Sequence, residues 1–473
     1  MQRLTATEKW TYAIGNMPFS VKDAAYVNFV VFYYTQVQGL SGTLAGLAMF
    51  IALTWDAVSD PIVGSWSDSL RTRWGRRHPL LVAGGVPTAL LFLALFAPPG
   101  GLGEWGMFAW LLAVSVLLRT FLTLYYIPFS AMGAELSTDY DERTVIAKAR
   151  VTMGWLAGML LPAIAFTVFF PEQDGVDGRL VAENYWQYGV LSALVAGATT
   201  LVCVVGTRSA IPRLPQAAEG LVFNWTQPLG DLKLIFRNRN FRTSMGATLA
   251  FGMCAGVYTT LGLYLGTYFW EFSTEQLAGF IVPTALGTLL AFAVLSRLGR
   301  RFDKPTLLAA VSLGLALNML WFLGARLFGW LPENGHPLIY PMQLANVGVA
   351  VLLIVSLQAL SVSLWADILD EQQLATGRRQ EGVMFAAGSF VGKATSGAGS
   401  LLAGIVIDLS GIAPGAEPGA VSQAVLQSLG WFTLLTITVL AMVAFFFFTR
   451  LHLSRADHEK VMSQLAGQQG SSA

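Results

Sequence analysis

Asp56 and Asp60 stand four residues apart in W-D-A-V-S-D-P, a spacing that puts both carboxylates on one face of a helix. Two carboxylates that close repel one another unless a proton or a metal cation lies between them. The pair reads as a cation site, with a sodium ion as the metal candidate and Ser59 and Thr123 as neutral oxygen ligands. The competing reading pairs each carboxylate with Arg119 or Arg150, which would merely hold helices together. At helical spacing Arg119, Thr123, Tyr126 and Ser130 share a narrow arc, a polar stripe that reads as cavity lining. Ser389, Lys393, Ser396 and Ser400 form a second stripe in F-V-G-K-A-T-S-G-A-G-S, aiming Lys393 at a cavity or at an aspartate of the other half of the chain.

These side chains are embedded in apolar sequence. Of 473 residues, 54% are hydrophobic and 12% charged, with a mean hydropathy of +0.57; soluble domains carry about 25% charged residues. Lys and Arg (29) nearly cancel Asp and Glu (28), so no basic field points to nucleic acid. The four histidines (His78, His336, His452, His458) fall in expected loops or tails, and Cys203 and Cys254 sit singly in apolar runs. Disulfide, zinc and haem patterns have no support, and no cofactor is expected. The start, M-Q-R-L-T-A-T-E-K-W, has no A-x-A cleavage signature and is expected to lead into a retained first helix.

A bilayer core of ~30 Å needs roughly 20 mostly apolar helical residues per span. Such runs lie near 11–37, 43–66, 79–97, 106–131, 150–170, 186–206, 244–270, 275–296, 305–328, 338–366, 382–408 and 425–449. The runs are continuous rather than alternating, which argues against a β-barrel. The expected fold is an all-α membrane protein with twelve transmembrane helices in two pseudo-symmetric six-helix halves. Its expected divisions are 1–206, a linker 207–243, a second half 244–450 and a tail 451–473.

Every second loop is cationic. Arg71, Arg73, Arg76 and Arg77 follow the second run; Arg143 and Lys148 follow the fourth; Arg208, Arg213, Lys233, Arg237, Arg239 and Arg242 fill the linker. Arg297, Arg300, Arg301 and Lys304 follow the eighth run, and Arg378 and Arg379 the tenth. The intervening loops hold Arg179 and Arg326 beside Glu172, Asp174, Asp177, Glu183 and Glu333. The positive-inside rule then puts both termini in the cytoplasm, in a multi-pass protein of the cytoplasmic (inner) membrane. R-T-R-W-G-R-R-H-P after the second run echoes S-R-L-G-R-R-F-D-K-P after the eighth, as expected of repeated halves with a site at their interface. These loops, with Asp68, Arg73, Arg76, Arg77, Arg300, Arg301 and Asp303, are expected to form a gate.

Seven charges remain inside the expected spans: Lys22, Asp23, Asp56, Asp60, Arg119, Arg150 and Lys393. Uncompensated, they would cost about 20 kcal/mol, so they must face one another, water or a ligand. Four cations against three carboxylates favour an anionic solute, with Arg119 able to hold a carboxylate or phosphate through two hydrogen bonds. In this tally adjacent Lys22 and Asp23 cannot share one helix face.

V-K-D (21–23), W-D-A-V-S-D-P-I-V-G (55–64), R-T-R-W-G-R-R (71–77), Y-I-P-F (126–129), A-D-I-L-D (366–370) and Lys393 together resemble the glycoside–pentoside–hexuronide:cation symporter family of the major facilitator superfamily. The similarity spans almost the whole chain. It implies cation-coupled (Na+ or H+) symport of a sugar, glycoside or uronide by alternating access, with Asp56, Asp60 and Thr123 at the cation. It further implies that Asp23 and Arg150 hold sugar hydroxyls and that Lys393 lies near both sites. Ser59 stands where the family's type member has asparagine; Tyr126 replaces a sugar-binding aspartate, Ser130 and Gln358 replace tryptophans, and Arg119 replaces a small residue. Asp23, Arg119, Tyr126, Ser130, Arg150, Gln358, Ser389 and Lys393 are the expected solute contacts. A broader relative, the sodium-dependent lysophospholipid transporters, shares the paired aspartates and the lysine, so a lysolipid-like or other anionic amphiphile is the alternative cargo.

Other classes fit less well. A membrane transferase would show buried histidine or an acid–base pair, a channel repeated pore segments, and a sensor a soluble signalling domain. No enzyme activity is expected, and a monomer with lipid and a small solute as its partners suffices. Single cysteines introduced at Gln216 and Gln464 should label with an impermeant thiol reagent only after the cell is opened. Strong labelling of either in intact cells would reverse the orientation.

Overall fold

The computed structural model describes residues 4–137, 139–172, 175–214, 235–377 and 381–470. Asp174, Gln216, Lys233, Arg378, Arg379 and most of the expected linker lie outside them. The chain is helical from end to end. Its first span, α1, is pieced together from Ala6–Ile14, Met17–Ala25 and two π-helical stretches, Tyr26–Val30 and Tyr33–Val37. In the first half α2 (Gly42–Ser69), α3 (His78–Leu95) and α4 (Glu104–Glu135) follow. α5 (Tyr140–Ile164, widening to a π turn over Ala165–Phe169) and α6 (Ala182–Gly206) complete it. The second half holds α7 (Arg239–Phe269), α8 (Thr274–Leu298), α9 (Lys304–Leu327) and α10 (Ile339–Thr376). α11 (Glu381–Ser410), α12 (Gln423–Phe448) and a tail helix α13 (Arg455–Gly470) end the chain.

Among the described residues eleven helices are long and apolar enough to cross a membrane. The twelfth span is α1, which the Gly15–Asn16 turn, Pro18 and the Lys22–Asp23 charges divide too finely to register as one apolar helix. Side-chain caps set several starts: Ser41 for α2, Asp139 for α5 through Glu142 N at 2.8 Å, and Asn238 for α7 through Phe241 N at 2.9 Å. Three expectations move. α5 begins ten residues before the expected 150, so Arg143 and Lys148 sit on its first turns rather than in a loop. α10 runs ten residues past 366 and carries A-D-I-L-D within the helix. His78, expected in a loop, opens α3 and pairs through Nε2 with Thr207 Oγ1 at 2.9 Å.

α11 lies at the centre of the packing because its glycines and serines let two neighbours approach backbone to backbone. A methyl group at Gly404 would meet the Gly42 carbonyl of α2 at 2.0 Å, and one at Gly399 would meet Met253 O of α7 at 2.3 Å. Here the second half grips the first.

The halves also close on each other at the end opposite the arginine loops. Phe29, Tyr33, Tyr34, Phe96, Tyr185, Tyr264 and Tyr268 are buried there in one aromatic core. Tyr268 donates to Gln36 at 2.9 Å, and Thr35 bonds Tyr264. Arg179, 4% exposed and paired with Asp177 in its own loop, reaches Thr267 Oγ1 at 3.0 Å and Phe272 O at 3.1 Å. Asp408 accepts from Gly42 N at 2.6 Å and Thr43 N at 2.7 Å at the start of α2. At the arginine end, by contrast, the ion pairs seen stay within one half: Arg76 and Arg77 with Glu135 and Asp68, Lys304 with Asp367, and His458 with Asp370. No comparable cross-half set is seen there among the described residues.

Gly404→Ala must wedge α2 from α11 and should cost about 1–3 kcal/mol, lowering the melting temperature of the purified protein. Gly392→Ala, on the same helix with open space around it, should leave that temperature unchanged. Equal shifts would show that this close approach does not hold the halves.

Candidate functional site

α2, α4 and α11 meet around two carboxylates. One helical turn separates Asp56 from Asp60 on α2, and Arg119 from Thr123 on α4. The two helices therefore face each other as short ladders. Thr123 Oγ1 lies 3.1 Å from Asp56 Oδ1 and 3.1 Å from Asp60 Oδ1. Lys393, from α11, brings Nζ to 2.9 Å of Asp56 Oδ2 and also bonds Asp60 Oδ2. Arg119 NH1 stands 3.4 Å from Asp56 Oδ2, with its guanidinium 4.9 Å from the centre of the Tyr26 ring. Asp56, Arg119 and Thr123 are buried; Asp60 and Lys393 are half-buried. A buried ion pair is weak evidence for stability, yet losing one partner typically costs about 3–5 kcal/mol.

The expected solute contacts gather beside this cluster in part. Arg150 donates to Ser130 Oγ at 2.9 Å. Among the described residues no carboxylate pairs with Arg150. The Tyr126 hydroxyl is within electrostatic reach of Arg150, Asp23, Lys393 and Asp60, and its ring stacks on Phe19 at 4.1 Å. Asp23 is half exposed. Lys22 and Asp23 do pair, contrary to the expectation that neighbours on a helix cannot meet, because the flexible lysine stem folds back along α1. Ser59 is buried, but its hydroxyl donates to the Asp56 carbonyl of its own helix at 3.2 Å rather than to either carboxylate. Gln358 and Ser389 are exposed and stand outside the hydrogen-bond network of the aspartate pair.

The arginine loops differ between the halves. In the first, Arg77 bonds Ser67 at 2.6 Å, Asp68 at 2.7 Å and Glu135 at 2.5 Å, while Arg76 bonds Glu135 at 2.7 Å. Burial alone would push the Arg77 guanidinium down; Glu135 and Asp68 outweigh it and push it up. Arg73 instead lies over the Trp74 ring. In the second half Arg300 and Arg301 are exposed, and Asp303 accepts from the Arg455 backbone of α13 at 3.1 Å. The Arg455 guanidinium caps the Gly299 and Arg300 carbonyls. The echo of sequence is not an echo of contacts. Sequence reasoning missed Glu135, which fell beyond the expected end of its span although it continues the fourth helix one turn past Ser130. It also gave no role to Arg179 and Asp408.

As chemistry, the cluster offers carboxylate and hydroxyl oxygens only, a set that suits a hard cation or a proton. Among the described residues no group of three or more His, Cys, Asp or Glu could hold a metal ion.

A sequence profile described as MFS/sugar transport protein matches residues 11–455. The putative glycoside/cation symporter YagG of Escherichia coli (strain K12) is 25% identical over 84% of this chain and 82% of its own length. The sodium-dependent lysophosphatidylcholine symporter 1 of Mus musculus is 32% identical, over 34% of this chain and 31% of its own. Among solved structures, a bacterial homologue of the human lysosomal transporter Spinster, in an inward-facing and unoccupied conformation, superposes with a TM-score of 0.65 at 13% identity, covering 97% of both chains. That likeness concerns the fold.

Arg119→Gln should destabilise the purified protein by about 3–5 kcal/mol, because it removes a cation from a buried carboxylate. Adding Asp56→Asn should restore part of the loss. If the double variant melts below the Arg119→Gln single variant, the two side chains do not compensate each other.

Proposed function

The chain belongs to the MFS/sugar transport protein family, and on that premise we propose that it couples inward movement of a cation to uptake of a glycoside or uronide. It is a membrane transporter, not an enzyme, with its proposed place in the cytoplasmic membrane and both termini inside. The observation that carries the coupling is the Lys393 ammonium lodged between Asp56 and Asp60 beside Thr123. An ammonium is a tethered monovalent cation, and the oxygens that hold it are those a coupling ion would use. Ion and lysine then compete for one seat. Because Lys393 belongs to the second half and the aspartates to the first, exchanging one for the other changes the bond between the halves. A ligand moves a conformational equilibrium only through such a differential interaction.

The released lysine would join Arg150, Asp23 and Tyr126 at the solute, which ties solute affinity to ion occupancy. The all-oxygen seat favours sodium among metals, and protonation of the pair is the rival coupling step. Arg119 is spent on Asp56 and Tyr26, so the role of anion-holder passes to Arg150, whose guanidinium meets the neutral hydroxyls of Ser130 and Tyr12. An anionic amphiphile is the second reading, favoured by the partial match to the lysophosphatidylcholine symporter.

Asp56→Asn and Asp60→Asn should each abolish ion-driven accumulation in proteoliposomes while leaving solute exchange in place, run separately under sodium and proton gradients. Full concentrative uptake by both variants would refute the seat. In competition assays matched uronides should outcompete neutral sugars at least about tenfold, one charge-assisted pair's worth. Arg150→Gln should erase that preference. Equal competition by both sugar types in wild type would remove the anionic preference, and inhibition by lysolipids alone would favour the second reading.

A further inference from the structure

The aromatic ends of α1 and α7 are built alike. Each widens into a π turn, Tyr33–Val37 in the first half and Leu265–Phe269 in the second. The same two backbone bonds close both. Gln38 N donates to Tyr33 O at 3.0 Å and Leu40 N to Tyr34 O at 2.9 Å; Trp270 N donates to Leu265 O and Phe272 N to Gly266 O, each at 2.8 Å. A left-handed residue turns the chain in each, Gly39 at φ 73° and Glu271 at φ 53°. A serine then caps the next helix, Ser41 through Leu44 N and Ser273 through Gln276 N. Thr35 and Thr267 hold equivalent places in the two turns, as do Gln36 and Tyr268, which bond each other across the halves. Contact between equivalent positions is what repeats related by an axis along the membrane normal bring about.

Each turn is also held by one charged residue of the opposite half, from the aromatic end of that half's fifth helix or the loop after it. Arg179, in the loop after α5, donates to Thr267 Oγ1 at 3.0 Å and to Phe272 O at 3.1 Å in the α7–α8 turn. Asp408, in the last turn of α11, accepts from Gly42 N at 2.6 Å, Thr43 N at 2.7 Å and Thr43 Oγ1 at 2.5 Å at the head of α2. The opposite signs follow from what each turn offers. One presents a hydroxyl and a carbonyl oxygen, and the other presents the spare N–H groups of a helix start.

Both contacts can be released without stranding a charge. Arg179 bonds Asp177 of its own loop, Nε to Oδ1 at 2.8 Å, and its carbonyl accepts from Tyr185 at 2.8 Å. It therefore keeps its counter-charge and its place when the halves part. Asp408 is exposed and passes into water. An unpaired buried charge is the main cost of breaking an ionic contact, and neither release creates one.

We propose that Arg179 and Asp408 are a reciprocal pair of clasps that hold the aromatic end closed and are released together in each transport cycle. The proposal rests on the two-state cycle of the symport reading and on no particular ion or solute. A hydrogen bond to a charged group is strong enough for each clasp to shift the closed–open balance about tenfold or more. The clasps share no partner, so their effects multiply.

The test uses the full chain in lipid nanodiscs, with spin labels on cysteines placed at Glu104 and Glu333. These residues are exposed at the aromatic end, one in each half, and lie outside the clasps; both native cysteines are buried. Distances are read by pulsed double electron–electron resonance. Arg179→Gln and Asp408→Ala should each raise the ratio of a separate longer distance to the shorter one by about tenfold, and the double variant by about the product of the two. Should Arg179→Gln not fold, Thr267→Val takes its place, since it removes an acceptor and spares the Arg179–Asp177 pair; the same direction of shift is expected. Loss of a merely structural contact would broaden the shorter distance without adding a longer one, and that result overturns the proposal. A double variant that matches wild type overturns it too, as does one that opens no further than its more open parent. Ion-driven accumulation is measured in proteoliposomes on the unlabelled wild type. Its absence, with the distances shifting as expected, overturns the symport reading and leaves the clasps standing.

Discussion

Charge cannot be left unpaired where water is absent, and this constraint organises the centre of the molecule. Asp56 requires cations, and Arg119 and Lys393 supply them from two other helices; Asp60 shares Lys393 and the Thr123 hydroxyl. The arrangement forces α2, α4 and α11 to converge at one depth. That convergence in turn requires α11 to come close, and its run of glycines and serines is what lets it do so. Polar need and small-residue packing are two sides of one junction.

The junction is asymmetric in permanence. Arg119 and Asp56 belong to the same half, are both buried, and form a fixed pair. Lys393 and Asp60 belong to different halves and remain partly wet. A bond between moving bodies has to be breakable at modest cost, and partial hydration lowers the cost of separating the ions relative to a dry pair. The half-buried state of Lys393 is thus as informative as its partners.

Much of this was legible in the residues because lipid makes their patterns expensive to fake. A carboxylate pair at helical spacing inside an apolar run has few innocent explanations, and the same holds for Lys393. The arc Arg119–Thr123–Tyr126–Ser130 does lie on one side of α4, although its first member turned to Asp56 rather than to a solute. What escaped the sequence was set by tertiary geometry. The Ser59 hydroxyl could bond a carboxylate or its own backbone, and spacing does not choose between them. Glu135 looked like a loop acid because the polar end of α4 carries no hydrophobic signal. The arginine motifs of the two halves match letter for letter in part, but α13 exists at only one of them and takes over its acceptors.

The aromatic end is tied by hydrogen bonds among tyrosines, a threonine, a glutamine and backbone groups; Arg179 pairs with Asp177 and donates to Thr267 and the Phe272 carbonyl, and Asp408 accepts from peptide N–H groups. The arginine end is laced with exposed or half-exposed ions. Salt at physiological strength screens such surface charges over about 8 Å while leaving buried neutral hydrogen bonds almost untouched. The two mouths of the protein therefore answer to different solution variables: ionic strength acts on one, and the other is nearly blind to it.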